Sequence, residues 1–404
     1  IKIAAENGDK YAQYNLGLCY EKGIGTEKDE NKAFNWYKKA VGNGTISAQY
    51  NLALCYENGV GTEKDVYNAF YLYKKAAENN NTKAQYNLGL CYENGIGTEK
   101  DGNKAFYWYK RAVDNESIFA QYNLGLCYEN GIGTEKDENK AFNWYKKAVE
   151  NGTISAQYNL ALCYGNGVGT EKDIYNAFYW YKKAAENNNT KAQYNLGLCY
   201  ENGIGTEKDG NKAFIDIHNT FYWYKKAAEN NNTKAQYNLG LCYRNGIGIK
   251  KDEGKASYWY KIAALNNNTD AQYNLGSCYE NGMGIEKDRA KAFYWYKKAA
   301  ESGNKLAQYN LGLYCESGIG TEKDKAEAYC WYKKAAENEN ISAQYKLGLC
   351  YENEIGTEKD NNKAFYWYKK AVDNENISAQ YKLGLCYERE LVLKKMRIAL
   401  FTGI

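Results

Sequence analysis

Apolar residues recur along this chain at spacings of three and four positions, in segments that alternate with polar turns. Such spacing places them on one face of an α-helix, so the pattern predicts a succession of amphipathic helices. The first segment of residues 9–44, which we call helix A, has its apolar face at Ala12, Leu16, Cys19 and Tyr20. The second segment, helix B, has its apolar face at Ala33, Trp36, Tyr37, Ala40 and Val41. Together the two segments predict a helical hairpin.

The connections between these helices carry residues that suit helix ends. Gly23 lies where a left-handed residue commonly ends a helix, and Gly25 follows it in the turn. Asp29 precedes helix B and is a favoured N-cap residue. Lys38 and Lys39 lie near the end of helix B, where positive charge complements the helix dipole. These positions predict where helix A ends and where helix B begins and ends.

The hairpin recurs with a fixed period. The string AQYNLGLCY, or a close variant, begins at Ala12, Ala48, Ala84, Ala120, Ala156, Ala192, Ala235, Ala271, Ala307, Ala343 and Ala379. Nine of the ten intervals between these alanines are 36 residues, and one is 43. A period of this size is typical of solenoids, in which each hairpin contacts only its neighbours. We therefore predict an all-α solenoid of helix-turn-helix repeats, and we number the full repeats 1 to 10 from residue 9.

The repeat divides the chain into three parts. Residues 1–8 match the end of a truncated preceding repeat, and residues 9–387 form about ten full repeats with a final helix A. The 43-residue interval contains a seven-residue insertion, residues 215–221, which either lengthens helix B by about two turns or forms a local bulge. Residues 388–404 are an off-pattern, basic and apolar tail. That tail is compatible with a truncation, an altered reading frame or a docking segment.

Repeat 3 shows a specific combination of residues at fixed offsets. It consists of Ala84, Leu88, Gly89, Tyr92, Gly95, Ile96, Gly97, Asp101, Lys104, Ala105, Trp108, Tyr109 and Ala112. This combination resembles the Sel-one-like repeat (SLR) family. The tetratricopeptide repeat shares part of it but is shorter by two residues and lacks the Gly-x-Gly turn. Single repeats depart from the pattern at Leu72, at Glu354 in place of the first turn glycine, and at the inverted pair Tyr314 and Cys315.

The resemblance implies a fold and a function. It implies a right-handed α/α superhelical solenoid with repeats of about 36 residues. It also implies a scaffold that is not itself an enzyme and that assembles complexes as an adaptor. Arrays of this family often accompany another domain, including protein kinase domains, so the resemblance makes a further domain upstream plausible.

Composition removes several classes of function. The formal net charge is +4, from 53 basic and 49 acidic residues, which gives little support for a nucleic-acid or anionic-membrane footprint. No apolar run approaches the roughly 18 residues of a membrane-spanning helix. The one histidine, His218, lies in the insertion, and a Ser/His/Asp set cannot recur on it. We predict no catalytic residue, no cofactor, no metal and no small-molecule substrate.

The twelve cysteines bear on the cellular compartment. Ten lie at equivalent positions of helix A, Cys315 lies one residue later, and Cys330 lies on helix B. Cysteines of adjacent repeats are about 8 to 10 Å apart at ordinary helix packing, whereas a disulfide needs Cα atoms within roughly 7 Å. We therefore expect buried free thiols and a reducing compartment, which indicates the cytoplasm. A pair between Cys315 and Cys330 stays open as an alternative.

The remaining candidate for function is the surface of helix A opposite Ala12 and Leu16. Stacked repeats present there a row of tyrosine, leucine and glutamate, which suits an extended peptide or a partner helix. We predict partner binding on the concave face by a set that we call the groove row: Tyr86, Leu90, Glu93, Tyr122, Leu126, Glu129, Tyr158, Leu162, Tyr194, Leu198 and Glu201. The alternative is that the tyrosines and leucines only pack between neighbouring A helices.

Helix B offers a competing surface. Lys38 and Lys39 have counterparts in nearly every repeat, and this lysine ladder suits acidic partners or RNA. It equally suits a solvated helix terminus. A solenoid that reads bases varies its reading residues between repeats, and this ladder hardly varies, which disfavours nucleic acid. We predict a scaffold or adaptor for protein or peptide partners; the alternatives are anion or nucleic-acid binding by the ladder and a regulatory array beside a kinase-type domain.

Overall fold

A computed structural model describes residues 1–205 and 212–402, without the side chains of residues 212–215 and 391–402. The described residues form 22 α-helices and no strand. Most of the described helices pack mainly against the helices just before and just after them in sequence. The fold is therefore an all-α solenoid, as the repeat predicts.

The chain divides into two bodies. Of the described residues, the N-terminal body contains 1–192 and 204–205, and the C-terminal body contains 193–203 and 212–402. The N-terminal body holds α1(Lys2–Glu6), α2(Lys10–Lys22), α3(Glu30–Gly42), α4(Ile46–Asn58), α5(Val66–Glu78), α6(Thr82–Asn94), α7(Gly102–Asp114), α8(Ile118–Asn130), α9(Glu138–Glu150), α10(Ser155–Asn166) and α11(Ile174–Glu186).

The second set of helices continues the alternation of helix A and helix B. The helix α12(Thr190–Asn202) spans the division between the bodies. The C-terminal body then holds α13(Lys212–Glu229), α14(Thr233–Asn245), α15(Glu253–Leu265), α16(Thr269–Asn281), α17(Arg289–Glu301), α18(Lys305–Ser317), α19(Lys325–Glu337), α20(Ile341–Asn353), α21(Asn361–Asp373) and α22(Ile377–Thr402).

Helix caps explain where the helices begin and end. In repeat 3 the side chain of Asn81 accepts a hydrogen bond from the Ala84 N–H at 2.9 Å, which satisfies one free donor in the first turn of α6. Gly95 ends α6 with a φ of 73°, a left-handed conformation that glycine adopts without steric cost. The predicted caps of repeat 1 are confirmed, since Gly23 is left-handed and Asp29 accepts from the backbone at the start of α3.

The two glycines of the Gly-x-Gly turn have different roles. A Cβ atom at Gly95 would meet no atom closer than 3.0 Å, so this glycine serves the left-handed cap alone. A Cβ atom at Gly97 would lie 2.2 Å from the carbonyl oxygen of Val66, the first residue of α5. The second glycine therefore lets the turn approach helix B of the preceding repeat, and a larger residue there would separate the two repeats.

The core of each hairpin centres on one tyrosine of helix B. Tyr109 is fully buried, and a Cβ atom at Gly89 on helix A would lie 2.5 Å from its ring. Interiors are close-packed, so this contact selects a small residue on helix A. The same tyrosine is fully buried in eight further repeats: Tyr37, Tyr73, Tyr145, Tyr224, Tyr260, Tyr296, Tyr332 and Tyr368.

Buried glutamines bind several A helices to the helices around them. Gln85 donates to the carbonyl oxygen of Ala77 at 3.2 Å, at the end of the preceding helix B. Its side-chain oxygen accepts from Asn115 at 2.8 Å, just after helix B of its own repeat. Because a buried amide costs free energy unless it is hydrogen-bonded, these bonds fix the spacing of successive helices.

The insertion and the tail both lie in long helices. The helix α13 has 18 residues where the other B helices have 13, and His218 is exposed on it. The helix α22 has 26 residues and continues past Glu390, where the repeats have a turn glycine. The side chain of Ile215 in the insertion and residues 403–404 of the tail lie outside the described residues.

Candidate partner-binding surface

The tyrosines of the groove row lie on helix A with their rings against the core. The ring of Tyr86 packs on that of Tyr109 with 6.1 Å between centroids, and Tyr122, Tyr158 and Tyr194 make the equivalent contact at 5.9, 6.1 and 6.0 Å. All four are half-buried. The leucines are half-buried as well: Leu90, Leu126, Leu162 and Leu198. The groove row therefore contributes to packing and also presents surface to solvent, so both interpretations of it stay open.

A cleft opens beside the row at the start of the A helices. It has a volume of about 300 Å³ and is lined by Tyr50, Lys83, Tyr86, Asn87, Ser117 and Phe119. The Phe119 side chain is 62% exposed, and its ring centroid lies 6.1 Å from that of Tyr86. An exposed aromatic ring beside a half-buried one suits an apolar side chain of a bound segment.

The glutamates of the groove row bind the core tyrosines, which the sequence pattern did not reveal. The Tyr109 hydroxyl donates to Glu93, and the hydroxyls of Tyr145 and Tyr224 donate to Glu129 and Glu201. The same bond is present between Tyr37 and Glu21, Tyr73 and Glu57, Tyr296 and Glu280, Tyr332 and Glu316, and Tyr368 and Glu352. Hydrogen bonds to an ionised acceptor are roughly twice as strong as neutral ones. The acidic edge of the row is therefore also a structural element.

The following repeat contributes to the same network. Asn123 on helix A of repeat 4 donates to the Tyr109 hydroxyl at 3.3 Å and lies 3.5 Å from Glu93. In the last repeats a lysine replaces this asparagine, and Lys346 and Lys382 form ion pairs of 2.9 and 2.8 Å with the preceding glutamates. Each such carboxylate thus links two successive repeats.

These bonds fix the protonation states of the network. Burial, together with the hydrogen bond to Glu93, raises the pKa of Tyr109, so its hydroxyl stays a neutral donor. Burial raises the pKa of Glu352, but hydrogen bonds from Lys382 and Tyr368 outweigh burial and leave that pKa below its usual value. The carboxylate therefore stays ionised and keeps accepting at neutral pH.

On helix B the lysine ladder lies over aromatic rings. The ammonium groups of Lys39 and Lys334 lie 4.2 Å from the ring centroids of Trp36 and Trp331, and Lys75 lies 4.5 Å from that of Tyr71. Distances below about 6 Å are those of cation–π pairs. An exposed tyrosine recurs beside the ladder: Tyr71, Tyr107, Tyr179, Tyr222, Tyr258, Tyr294 and Tyr366. The competing surface is therefore a ridge of cations and rings.

The cysteines have the character of core residues. All twelve are free thiols, Cys315 and Cys330 included, and nine of them are buried. Burial raises the pKa of Cys91 to about 12, so this thiol is protonated and a poor nucleophile at neutral pH. Among the residues that the structure describes, no cluster of His, Cys, Asp or Glu side chains could hold a metal ion. None of the described helices is both long enough and apolar enough to cross a membrane.

Comparison with known families agrees with the repeat and the fold. The model of the Sel1 repeat family matches twelve segments between residues 10 and 400. The chain belongs to the Sel1 repeat family. Two of the matched segments, 190–215 and 216–232, adjoin at the start of the insertion. Sel1 repeat solenoids are generally scaffolds for protein–protein interaction and not catalysts.

Two solved Sel1-type structures resemble this chain. The chain is 31% identical to c5321, a protective antigen of uropathogenic Escherichia coli strains with an SLR fold, at a TM-score of 0.67 and over 96% of this chain and 90% of that one. It is 29% identical to a Sel1 repeat protein from Oxalobacter formigenes, at a TM-score of 0.58 and over 78% and 88% of the two chains.

The curated relatives match over a single repeat. A sel1-like repeat-containing protein L18 of Acanthamoeba polyphaga mimivirus is 49% identical over 41 residues, and the DAP3-binding cell death enhancer 1 of Rattus norvegicus is 41% identical over 39 residues. Each match covers 10% of this chain and only 7% or 8% of the relative. These matches therefore support the repeat and not a particular activity.

Proposed function

We propose that this Sel1 repeat chain is a non-catalytic scaffold that binds extended segments of partner proteins at the groove-row positions of its A helices. The observation that carries the proposal is the row of half-buried tyrosines and leucines, whose rings are held by packing on the core tyrosines. Rings fixed in this way lose little conformational entropy on binding, so they suit the anchoring of a peptide. The twelve free thiols favour a reducing compartment, which supports the cytoplasm as its location.

The test uses a probe peptide and two matched double variants. A peptide is selected on the whole chain from a random phage-displayed library, and its affinity is measured by calorimetry. We expect Tyr122→Ala with Tyr158→Ala to weaken binding at least about tenfold, a loss of roughly 1.4 kcal/mol, because two anchoring rings are removed. The control is Tyr107→Ala with Tyr179→Ala, which removes two rings from helix B, each about half exposed.

The two double variants also show whether the peptide binds to the groove row or to helix B. Helical circular dichroism must be unchanged in both variants, so that a loss of binding reports on the surface. Unchanged affinity in the Tyr122/Tyr158 variant would overturn the groove assignment. Loss of affinity only in the Tyr107/Tyr179 variant would place binding on helix B instead.

A second candidate function rests on the ridge of cations and rings on helix B. Single-stranded nucleic acids bind to surfaces that combine positive charge with exposed aromatic rings, and Lys75 with Tyr71 is such a pair. The near-neutral net charge of +4 weighs against it, and so does the lysine ladder, which hardly varies between repeats. This candidate requires an affinity for a single-stranded DNA probe that falls steeply with salt and that is lost in the Tyr107/Tyr179 variant.

A further inference from the structure

Repeat 7 lacks the hydrogen bond between glutamate and the core tyrosine that the neighbouring repeats contain. Arg244 lies at the end of α14, where the repeats on either side carry Glu201 and Glu280. The tyrosine of repeat 7, Tyr260, is fully buried, and its hydroxyl has no hydrogen-bond acceptor among the described residues. A buried hydroxyl whose proton has no acceptor loses part of its hydration without compensation, so an acceptor placed here would be favoured.

The charged group that acts on this hydroxyl, Arg244, is a donor. In the neighbouring repeats Tyr224 and Tyr296 each donate to a glutamate carboxylate of their own repeat. In repeat 7 the exposed guanidinium group of Arg244 takes the place of that carboxylate. Asn274, the counterpart of the asparagine that completes the network elsewhere, lies 3.5 Å from the hydroxyl of Tyr237.

A small cavity lies between Arg244 and Tyr260. It has a volume of about 30 Å³ and is lined by Arg244, Glu253, Ala256, Tyr260, Cys278 and Met283. Glu253 is its one carboxylate, and this residue forms no ion pair with Arg244 in the described part of the chain. Because Arg244 is exposed, its side chain can move aside to admit a ligand group next to the tyrosine.

We propose that Arg244 and the Tyr260 hydroxyl form a binding site for a carboxylate, supplied by an acidic side chain of a protein segment bound to the A helices of the C-terminal body. Eight other repeats show a carboxylate accepting from the equivalent tyrosine, so the acceptor that fits this hydroxyl is known from the chain itself. Guanidinium and carboxylate groups pair in a bidentate geometry, which adds specificity to charge. This inference rests on the proposed function, since it assigns the chemistry of one position on the partner.

The charges beside the site restrict the partner further. Glu201 and Glu280 hold the equivalent position in the repeats on either side of Arg244, so a segment with several adjacent acidic residues would be repelled on both sides. The favoured partner therefore carries one acidic residue among neutral or basic ones. Because the repeats are nearly identical, a bound segment could also bind one repeat further along. Arg244, where the neighbouring repeats carry glutamate, disfavours such a shift. The site at Arg244 thus sets the register of binding.

The experiment uses small probes on the full chain. The chain has only five arginines, Arg111, Arg244, Arg289, Arg389 and Arg397, so arginine-labelled protein gives a simple side-chain NMR spectrum. The probes are N-acetyl-glutamate methylamide, its glutamine analogue and inorganic phosphate, at constant ionic strength. We expect the glutamate probe to shift the Arg244 signal saturably and the glutamine analogue to bind at least about tenfold more weakly. The other four arginines are internal controls.

Two variants test the roles of the two residues. Arg244→Glu assigns the signal by its loss and restores the pattern of the other repeats, so we expect ligand-observed NMR to show no saturable binding of the glutamate probe. Tyr260→Phe removes a hydroxyl that has no internal acceptor, so the chain stays folded while affinity for the probe falls at least about threefold. Circular dichroism checks the fold of both.

Each contrary outcome identifies what has failed. Equal shifts from the glutamate and glutamine probes, or similar shifts at all five arginines, would overturn the site, as would full binding by Tyr260→Phe. Phosphate binding about tenfold tighter than the glutamate probe would reject a carboxylate in favour of a phosphorylated ligand. A probe response at Arg244 together with unchanged peptide binding by the Tyr122/Tyr158 variant would instead reject the groove row and keep the site.

Discussion

At the scale of single residues, the residue that ends helix A has to adopt a left-handed backbone conformation. Glu354 takes the position of the first turn glycine and holds the same left-handed conformation, with a φ of 57°. A residue with a Cβ atom pays roughly 1–2 kcal/mol for that conformation. The fold therefore keeps the turn of repeat 10 against the preference of its residue, since the packing of the flanking helices determines the backbone there.

We expect Glu354→Gly to stabilise the end of α20 by about 1 kcal/mol, because glycine removes the steric cost of the left-handed cap. Stability in a repeat array is local, so the measurement is native-state hydrogen exchange of the amides of α20 and α21. The matched control, Gly318→Glu at the end of α18, should lower protection there by a similar amount. Equal protection in Glu354→Gly and the parent chain would show that the turn carries no strain.

At the scale of helices, one close contact holds each A helix to its B helix. A Cβ atom at Gly125 would lie 2.7 Å from the ring of Tyr145, so helix A and helix B approach closely at this glycine. Ala53 and Ala161 occupy the equivalent position in repeats 2 and 5, where both are fully buried. The contact therefore accepts one methyl group when the tyrosine shifts slightly, and it has no room for a larger side chain.

We expect Gly125→Leu to destabilise the hairpin of α8 and α9 by about 1–3 kcal/mol, because the side chain would displace the ring of Tyr145. Thermal unfolding and hydrogen exchange measure the loss. Gly125→Ala is the control and should cost clearly less, since two repeats already contain alanine. A leucine variant as stable as the parent chain would contradict the close contact.

At the scale of the whole molecule, equivalent capping residues of successive repeats each make a small contribution to the pH dependence of stability. Eight aspartates at the start of the B helices accept backbone hydrogen bonds, and these bonds lower their pKa values: Asp29, Asp65, Asp101, Asp137, Asp173, Asp252, Asp288 and Asp360. In Asp101 a side-chain bond from Lys104 is the largest cause. Because equivalent caps recur along the chain, each of these repeats contributes to the pH dependence of stability in the same direction.

We expect the array to lose stability as the pH falls below about 4. A carboxyl whose folded pKa is lowered binds its proton more weakly than in the unfolded chain, where Asp titrates near 3.9. Its contribution is therefore complete above that value and is lost as the pH falls through the folded pKa. Urea unfolding at a series of pH values measures the slope. Asp101→Asn, which keeps a capping side chain but cannot ionise, should reduce the slope locally; an unchanged stability at low pH would contradict the prediction.

The repeat made much of the fold predictable from the sequence. Gly23 and Asp29 were identified as caps from local preferences, and the structure confirms both because caps depend on the backbone within a few residues. The role of Glu93 was not predictable in this way. Its partner Tyr109 lies 16 residues away, and whether the two meet depends on how helix A packs on helix B.

The sequence by itself determined the helices, their caps, the period and the membership of an α-solenoid family, because these follow from local periodicity and from repetition. The tertiary structure decided which polar residues meet. It placed Glu93 against a buried hydroxyl, and it left Tyr260 without an internal acceptor beside Arg244. Helical periodicity assigns a side chain to a face, whereas hydrogen bonds between helices depend on distances that only packing sets.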